Sequence, residues 1–263
     1  MSTISASTMG AFVVLAGVSA STVAHAGDCP NNPTALGTSR TISVKPSEFP
    51  LVGKLNYPES LRLADREIVL TFDDGPSAPY TGTILDTLAA ECIKASFFMV
   101  GNAVVDAPDL LRRAFNEGHT IGTHTFANEN LNEAPIERAK ADIDKGLATA
   151  VEAIGSRNDL APFFRAPDLE ISKQAERYAL SQGLMVWSAD IEADESGDPT
   201  EEELVAKVVA GLEEKGKGIL LLRDSQPVTA RAMRHLIVEL KARKFRIVHV
   251  VPAKRPITTG SNR

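Results

Sequence analysis

Between residues 67 and 250, seven short apolar, β-prone runs alternate with helical patterns, and no other feature of the chain narrows its possible folds so far. The runs occupy 67–72 (EIVLTF), 96–100 (SFFMV), 119–124, 162–165, 184–189 (LMVWSA), 218–223 (GILLLR) and 245–250 (FRIVHV). Helical patterns fall at 83–91, 109–117, 134–154, 172–182, 200–215 and 228–243, with Thr200 and Glu203 spaced as a capping box. Strands alternating with helices predict a parallel sheet joined by right-handed crossovers. Two architectures satisfy the pattern, a closed TIM-like barrel and an open doubly wound sheet. Both put chemistry in the loops at the C-terminal ends of the strands.

Charge sets the boundaries of this region. Residues 1–26 contain no Asp, Glu, Lys or Arg, carry a nine-residue apolar run at 10–18 (GAFVVLAGV), and end in Ala24-His25-Ala26. That pattern predicts a signal peptide cleaved after Ala26, although its first residues lack the usual Lys or Arg, and hence an exported protein, periplasmic or extracellular. The run is too short to cross a bilayer, which takes about 20 apolar residues. Residues 27–66, rich in Pro, Asn, Ser and Thr, are expected as an extended arm over the domain at 67–251, with 252–263 as a tail. No repeat or linker divides the domain, and a monomer is expected. The net charge of −6 excludes a general nucleic-acid binder, which needs a basic excess. Two cysteines, Cys29 and Cys92, make neither a disulfide scaffold nor a zinc ribbon; outside the cytosol they are free to pair, and sequence alone does not place them.

If the strand reading holds, function lies just after each run. The first ends in Asp73-Asp74-Gly75-Pro76. Side chains of adjacent strand residues diverge, so one carboxylate can ligate a cation while the other reaches a water; the same tetrapeptide is also a common surface turn. The third run holds His119 and His124, with Asn128 four residues beyond the latter. His119 opens its strand, far from the chemical end, and reads as structural. Trp187 sits in a buried run and reads as core, while His235 and His249 are isolated on a helix and a strand. The basic run at 241–244 complements a helix C-terminus.

Five stretches in order, TFDDGP (71–76), GHTIGTHTFAN (118–128), FFRAP (163–167), VWSADIEAD (186–194) and GILLLRD (218–224), resemble the polysaccharide deacetylase family with its NodB homology domain. The resemblance implies a distorted (β/α) barrel of about seven parallel strands. It implies removal of acetyl groups from N-acetylated glycans such as chitooligosaccharide, peptidoglycan or exopolysaccharide, with a divalent metal, often zinc, on an Asp-His-His triad. Carried onto this chain, it makes Asp73 the general base, Arg165 the residue that orients the base, and Asp74 and His124 metal ligands. A cation acidifies water and polarises an amide oxygen while the base takes the proton.

Departures from the family pattern fall on the chemistry. Asn128 stands where the third ligand, a His, is expected, and a neutral amide oxygen suits a harder ion than zinc. Arg223 stands at the catalytic-acid His; a guanidinium cannot donate a proton at neutral pH, although it can stabilise an oxyanion. The fourth motif is worn, with Asp194-Glu195 or Glu195-Ser196 in place of an Asp-Trp pair. Asp168 adds a carboxylate near the expected oxyanion site, where negative charge is unfavourable. The expected site is therefore Asp73, Arg165, Asp194 and Arg223 for catalysis, with Asp74, His124 and Asn128 for the metal. Losing a positioned acid costs about 10² to 10⁴ in rate. Two functions follow, a slow metal-dependent deacetylase and a non-catalytic relative that binds glycan in the retained groove.

Overall fold

A computed structural model describes residues 29–253. The expected signal peptide and most of the expected tail lie outside the described residues. All seven predicted strands are present: β3 (Glu67–Asp73), β4 (Ser96–Met99), β5 (Thr120–Thr123), β6 (Phe163–Arg165), β7 (Met185–Trp187), β9 (Gly218–Arg223) and β10 (Arg246–Pro252). Three more raise the sheet to ten strands rather than about seven: β1 (Thr38–Val44), β2 (Leu51–Val52) and β8 (Ile191–Glu192). The predicted helices are α1 (Tyr80–Ala90), α3 (Pro108–Asn116), α4 (Ile136–Ile154), α5 (Lys173–Ser181), α6 (Glu201–Lys215) and α7 (Pro227–Ala242). The short α2 (Gly101–Asp106) was not expected. The Thr200–Glu203 capping box forms at the start of α6, each side chain accepting the other residue's backbone N–H.

Every strand pairing is parallel; the ladders run β2-β7-β6-β5-β4-β3, with β10 and β9 both pairing with β3, and among the described residues it is the chain between β7 and β8, not a ladder, that links β7 to β9. The chain from β7 to β8 changes neighbours as it runs: Met185–Trp187 pairs with β6, and Ile191 and Glu192 pair with β9, which pairs in turn with β3. This makes a distorted α/β barrel rather than an open sheet. Strand alternation divides β3 between two cores. Ile68, Leu70 and Phe72 face the helices, while Val69 faces inward with Phe98, Phe163, Met185, Trp187, Ile219 and Leu221. Val248 and Val250 of β10 join this inner cluster, as does Val44 of β1. Trp187 is buried at 5.6 Å from the Phe98 ring and 5.0 Å from Phe163, the core position expected of it.

The stretch expected as an overlying arm is built into the sheet instead, because its backbone finds ladder partners. β1 pairs along β10, and β2 pairs with β7. Arg40 of β1 forks onto the buried Glu67 at 2.8 and 2.7 Å, and this contact, above all, holds the Glu67 carboxyl down at about 2. Cys29 and Cys92 form a disulfide, Cα to Cα 5.7 Å, which staples the start of the described chain to the end of α1. Among the described residues no helix is long and apolar enough to cross a membrane.

Candidate active site

Asp73 ends β3 in phase with Val69 and Thr71, so its carboxylate faces the barrel interior at the chemical end. It is buried against a fully buried guanidinium: Arg165 Nη1 donates to Asp73 Oδ1 at 2.7 Å and to Thr71 Oγ1 at 2.8 Å, and Nη2 donates to the Ser188 carbonyl at 2.9 Å. The guanidinium also lies 4.3 Å above the Phe98 ring. Burial pushes the Asp73 carboxyl above the usual carboxylate range, and Arg165 opposes that shift. A carboxylate of raised pKa, kept oriented, is what a general base at neutral pH requires.

Asp74 turns away from its neighbour with φ 73°, and Thr125 and Asn128 also have positive φ, at 61° and 59°. Such backbone is unfavourable for residues with side chains, and its clustering here marks a site the rest of the fold enforces. His124 Nδ1 lies 2.8 Å from the Arg165 carbonyl oxygen, which can only accept, so Nδ1–H donates and Nε2 is the nitrogen left for another partner, with a lone pair in the neutral tautomer. Nε2 faces Asp74 Oδ1 at 3.4 Å. Two electron-rich atoms so close need a proton or a cation between them, and a backbone carbonyl behind the imidazole is the usual support of a metal ligand. Asn128 Nδ2 donates to the same Asp74 oxygen at 3.2 Å; turning the amide over presents its oxygen instead. Asp74, His124 and Asn128 are thus donors of the type a divalent cation takes. Among the described residues no group of three His, Cys, Asp or Glu could hold a metal, so Asn128 is needed to complete the set.

Arg223, at the end of β9, is held from three sides. Nη1 donates to Glu195 Oε2 at 2.8 Å, Nη2 donates to Glu192 Oε1 at 2.7 Å, and Nε stands 3.4 Å from Asp74 Oδ2. Burial alone would lower its pKa, but Glu195 and Glu192 more than reverse that and fix the positive charge. Burial in turn raises the Glu195 carboxyl against the pull of Arg223 and Thr229. The structure thus brings together Asp73, Asp74, His124, Asn128, Arg165 and Arg223.

It does not bring in Asp194. That carboxylate is exposed, bonds to the backbone and hydroxyl of Ser196, and pairs with Lys207 at 3.0 Å. The next residue, Glu195, reaches Arg223 in its place. Asp168 is exposed and shares with Glu192, Asp194, Glu195, Arg223 and Gln226 a cleft of about 490 Å³ that opens at Arg223. His119 is structural, as expected: Nδ1 accepts the Ala95 N–H at 3.1 Å, and burial, chiefly, lowers its pKa to about 3. His249 bonds to Thr120 Oγ1 at 2.9 Å, and His235 is half-buried on α7, 3.9 Å from Glu239.

One residue of the site escaped the sequence reading. Asp224 is buried beneath the 73–76 loop, accepting the Gly75 N–H at 3.0 Å and the Thr81 hydroxyl at 2.6 Å. A Cβ on Gly75 would meet Asp224 Oδ2 at 2.0 Å, so only glycine fits there. Burial first, then the charges of Asp74 and Asp73, push Asp224 up to about 7.

Comparison with known proteins follows this geometry. Residues 61–187 match the family model described as polysaccharide deacetylase. A peptidoglycan-N-acetylglucosamine deacetylase of Bacillus cereus is 30% identical over 191 residues, covering 71% of this chain and 87% of that protein. A solved peptidoglycan deacetylase of Bdellovibrio bacteriovorus has a TM-score of 0.73 and 30% identity, covering 82% of this chain and 59% of the other. A CE4 family pseudoenzyme of Bacillus anthracis has a TM-score of 0.62 at 16% identity, covering 70% and 63%, which is likeness of fold alone. The chain spans about half, 51% and 42%, of the first curated relatives it matches.

Proposed function

We propose that this chain, which belongs to the polysaccharide deacetylase family, removes acetyl groups from N-acetylated glycans slowly and with a divalent cation. The observation that carries the reading is the retained water-activating half of the site: Asp73 on Arg165, beside His124 Nε2 aimed at Asp74. Asp74, His124 and the Asn128 oxygen would hold the cation, whose chemistry when bound is Lewis-acid polarisation of the acetamide carbonyl and acidification of water. Asp73 takes the proton of the attacking water, and Arg165 keeps its carboxylate aimed. As the amide bond breaks, acetate departs and the sugar amine needs a proton. Arg223 cannot supply it, so the proton held on Asp73 must serve, and this second step sets the slow rate.

The glycan is chitooligosaccharide-like or peptidoglycan-like, a class supported by the relatives' names. Work outside the cytosol is supported by the Cys29–Cys92 disulfide and by the charge-free first 26 residues. A second reading, glycan binding without turnover, is favoured by one observation: three carboxylates tie Arg223 down, so it is not free to move onto a reacting oxygen.

Acetate release from chitooligosaccharides and peptidoglycan, with added zinc, cobalt, nickel or manganese, tests the choice. The wild type should release acetate, and Asn128→His/Arg223→His should release it at least about 10²-fold faster. A silent wild type beside an active double variant would leave glycan binding as the native function.

A further inference from the structure

We propose that Arg223 is an antagonist of cation binding built into the site: its guanidinium engages the carboxylate a divalent ion needs, while Glu195 anchors it and Glu192 competes with Asp74 for its charge. The inference rests on the reading of Asp74, His124 and Asn128 as a cation site. Of those three donors only Asp74 carries negative charge, and its two oxygens are already divided. Oδ1 faces His124 and Asn128, while Oδ2 faces Arg223 Nε at 3.4 Å. A cation placed on Asp74 therefore shares one carboxylate with a fixed positive charge and is repelled by it.

Arg223 cannot leave easily. It does not deprotonate at accessible pH, so it cannot become neutral to admit a second cation. Glu195, whose side chain is only 3% exposed, grips it twice, through Nη1 at 2.8 Å and the backbone N–H at 2.9 Å, and is steadied by the Thr229 hydroxyl at 2.8 Å. Glu192 takes Nη2 from the solvent side. These two acids draw off part of the guanidinium charge and add negative potential beside Asp74. Taking Glu192 away hands more of the guanidinium to Asp74, whereas taking Arg223 away frees Asp74 altogether.

Calorimetric titration of the full chain with zinc, and separately with manganese, reads this without turnover. Arg223→Gln should bind at least about tenfold tighter than wild type, a difference of about 1.4 kcal/mol. Because that change leaves the Glu195 carboxylate without a positive partner, Arg223→Gln/Glu195→Gln is titrated beside it, with a thermal melt to confirm folding, and should also bind tighter. Glu192→Gln, exposed enough to be tolerated, should bind about threefold or more weaker; a purely structural Arg223 would not give shifts of opposite sign. Measurable binding with wild-type and Arg223→Gln affinities equal overturns the inference and leaves the cation site standing. Glu192→Gln binding tighter than wild type likewise overturns it. Absence of binding in every protein overturns both the inference and the cation reading.

Discussion

Replacing Arg165 by Met removes a guanidinium with no exposed surface and leaves the Asp73 carboxylate, only 3% exposed, without its partner. Bonds to Thr71, Asp73 and the Ser188 carbonyl go, as does the contact over Phe98, while the volume is roughly kept. Breaking a buried ion pair from one side costs about 3–5 kcal/mol. For a chain of this size each kcal/mol moves the melting point by about 2–4 °C, so the expected drop is about 6–20 °C. The pH dependence gives the sharper test. Burial already holds the Asp73 pKa above its ordinary 3.8, and losing Arg165 raises it further. A carboxyl raised in the folded state favours folding in its protonated form. Its contribution is therefore full below 3.8 and is lost as pH climbs through the raised value. Each pH unit in that window costs up to about 1.4 kcal/mol, so Arg165→Met should be more destabilising at pH 8 than at pH 5. Urea denaturation at both pH values measures this, with Asp73→Asn/Arg165→Met as the control. Removing the charge should return at least half of the lost stability at pH 8. Equal losses at both pH values, with no recovery in the double variant, would refute the account of Asp73 as a buried carboxylate held charged by Arg165.

Two further stability measurements bear on other parts of the molecule. Asp224, raised to about 7, should cost the wild type a few kcal/mol as pH rises from about 4 to 7, and Asp224→Asn should flatten that portion of the curve; a denaturation midpoint with the same pH slope in both proteins counts against it. Cys29→Ser/Cys92→Ser opens a cross-link spanning 63 residues, and chain entropy sets the expected loss at about 4 kcal/mol; a melting point within 2 °C of the wild type would show that the staple constrains little.

The seven predicted strands were legible because most carry apolar residues buried on both faces, and the helices because their stripes repeat at helical spacing. The missing strands share a reason. β2 and β8 are two residues each, too short for any period, and β1 (TSRTISV) is polar and pairs only with β10. Asp73, Asp74, His124, Arg165 and Arg223 were singled out from motifs that resemble the family's, and each stands at or just after a strand end. Asp194 was misplaced by one residue: Ala193 is the last to donate to the β9 ladder, and the chain then turns so that Glu195, not Asp194, comes back to Arg223. Asp224 closes the GILLLRD stretch just after β9, but its part in the site was not legible, because its partners Thr81 and Gly75 lie 143 and 149 residues away along the chain.

Ser188 gives the opening segment of the chain a stake in the chemistry. Its carbonyl receives Arg165 Nη2, its N–H donates to Val52 of β2 at 2.7 Å, and its hydroxyl donates to Asn56. Gly53 packs so tightly on it that a Cβ there would meet the Ser188 backbone at 2.5 Å. A fragment excised at residue 67, where the repeating strand pattern begins, would keep every reactive side chain and yet lose the clamp that seats the base's partner. The smallest heritable unit of this site therefore starts before β2, and a graft or domain exchange that respects the barrel alone would transplant the residues without their alignment.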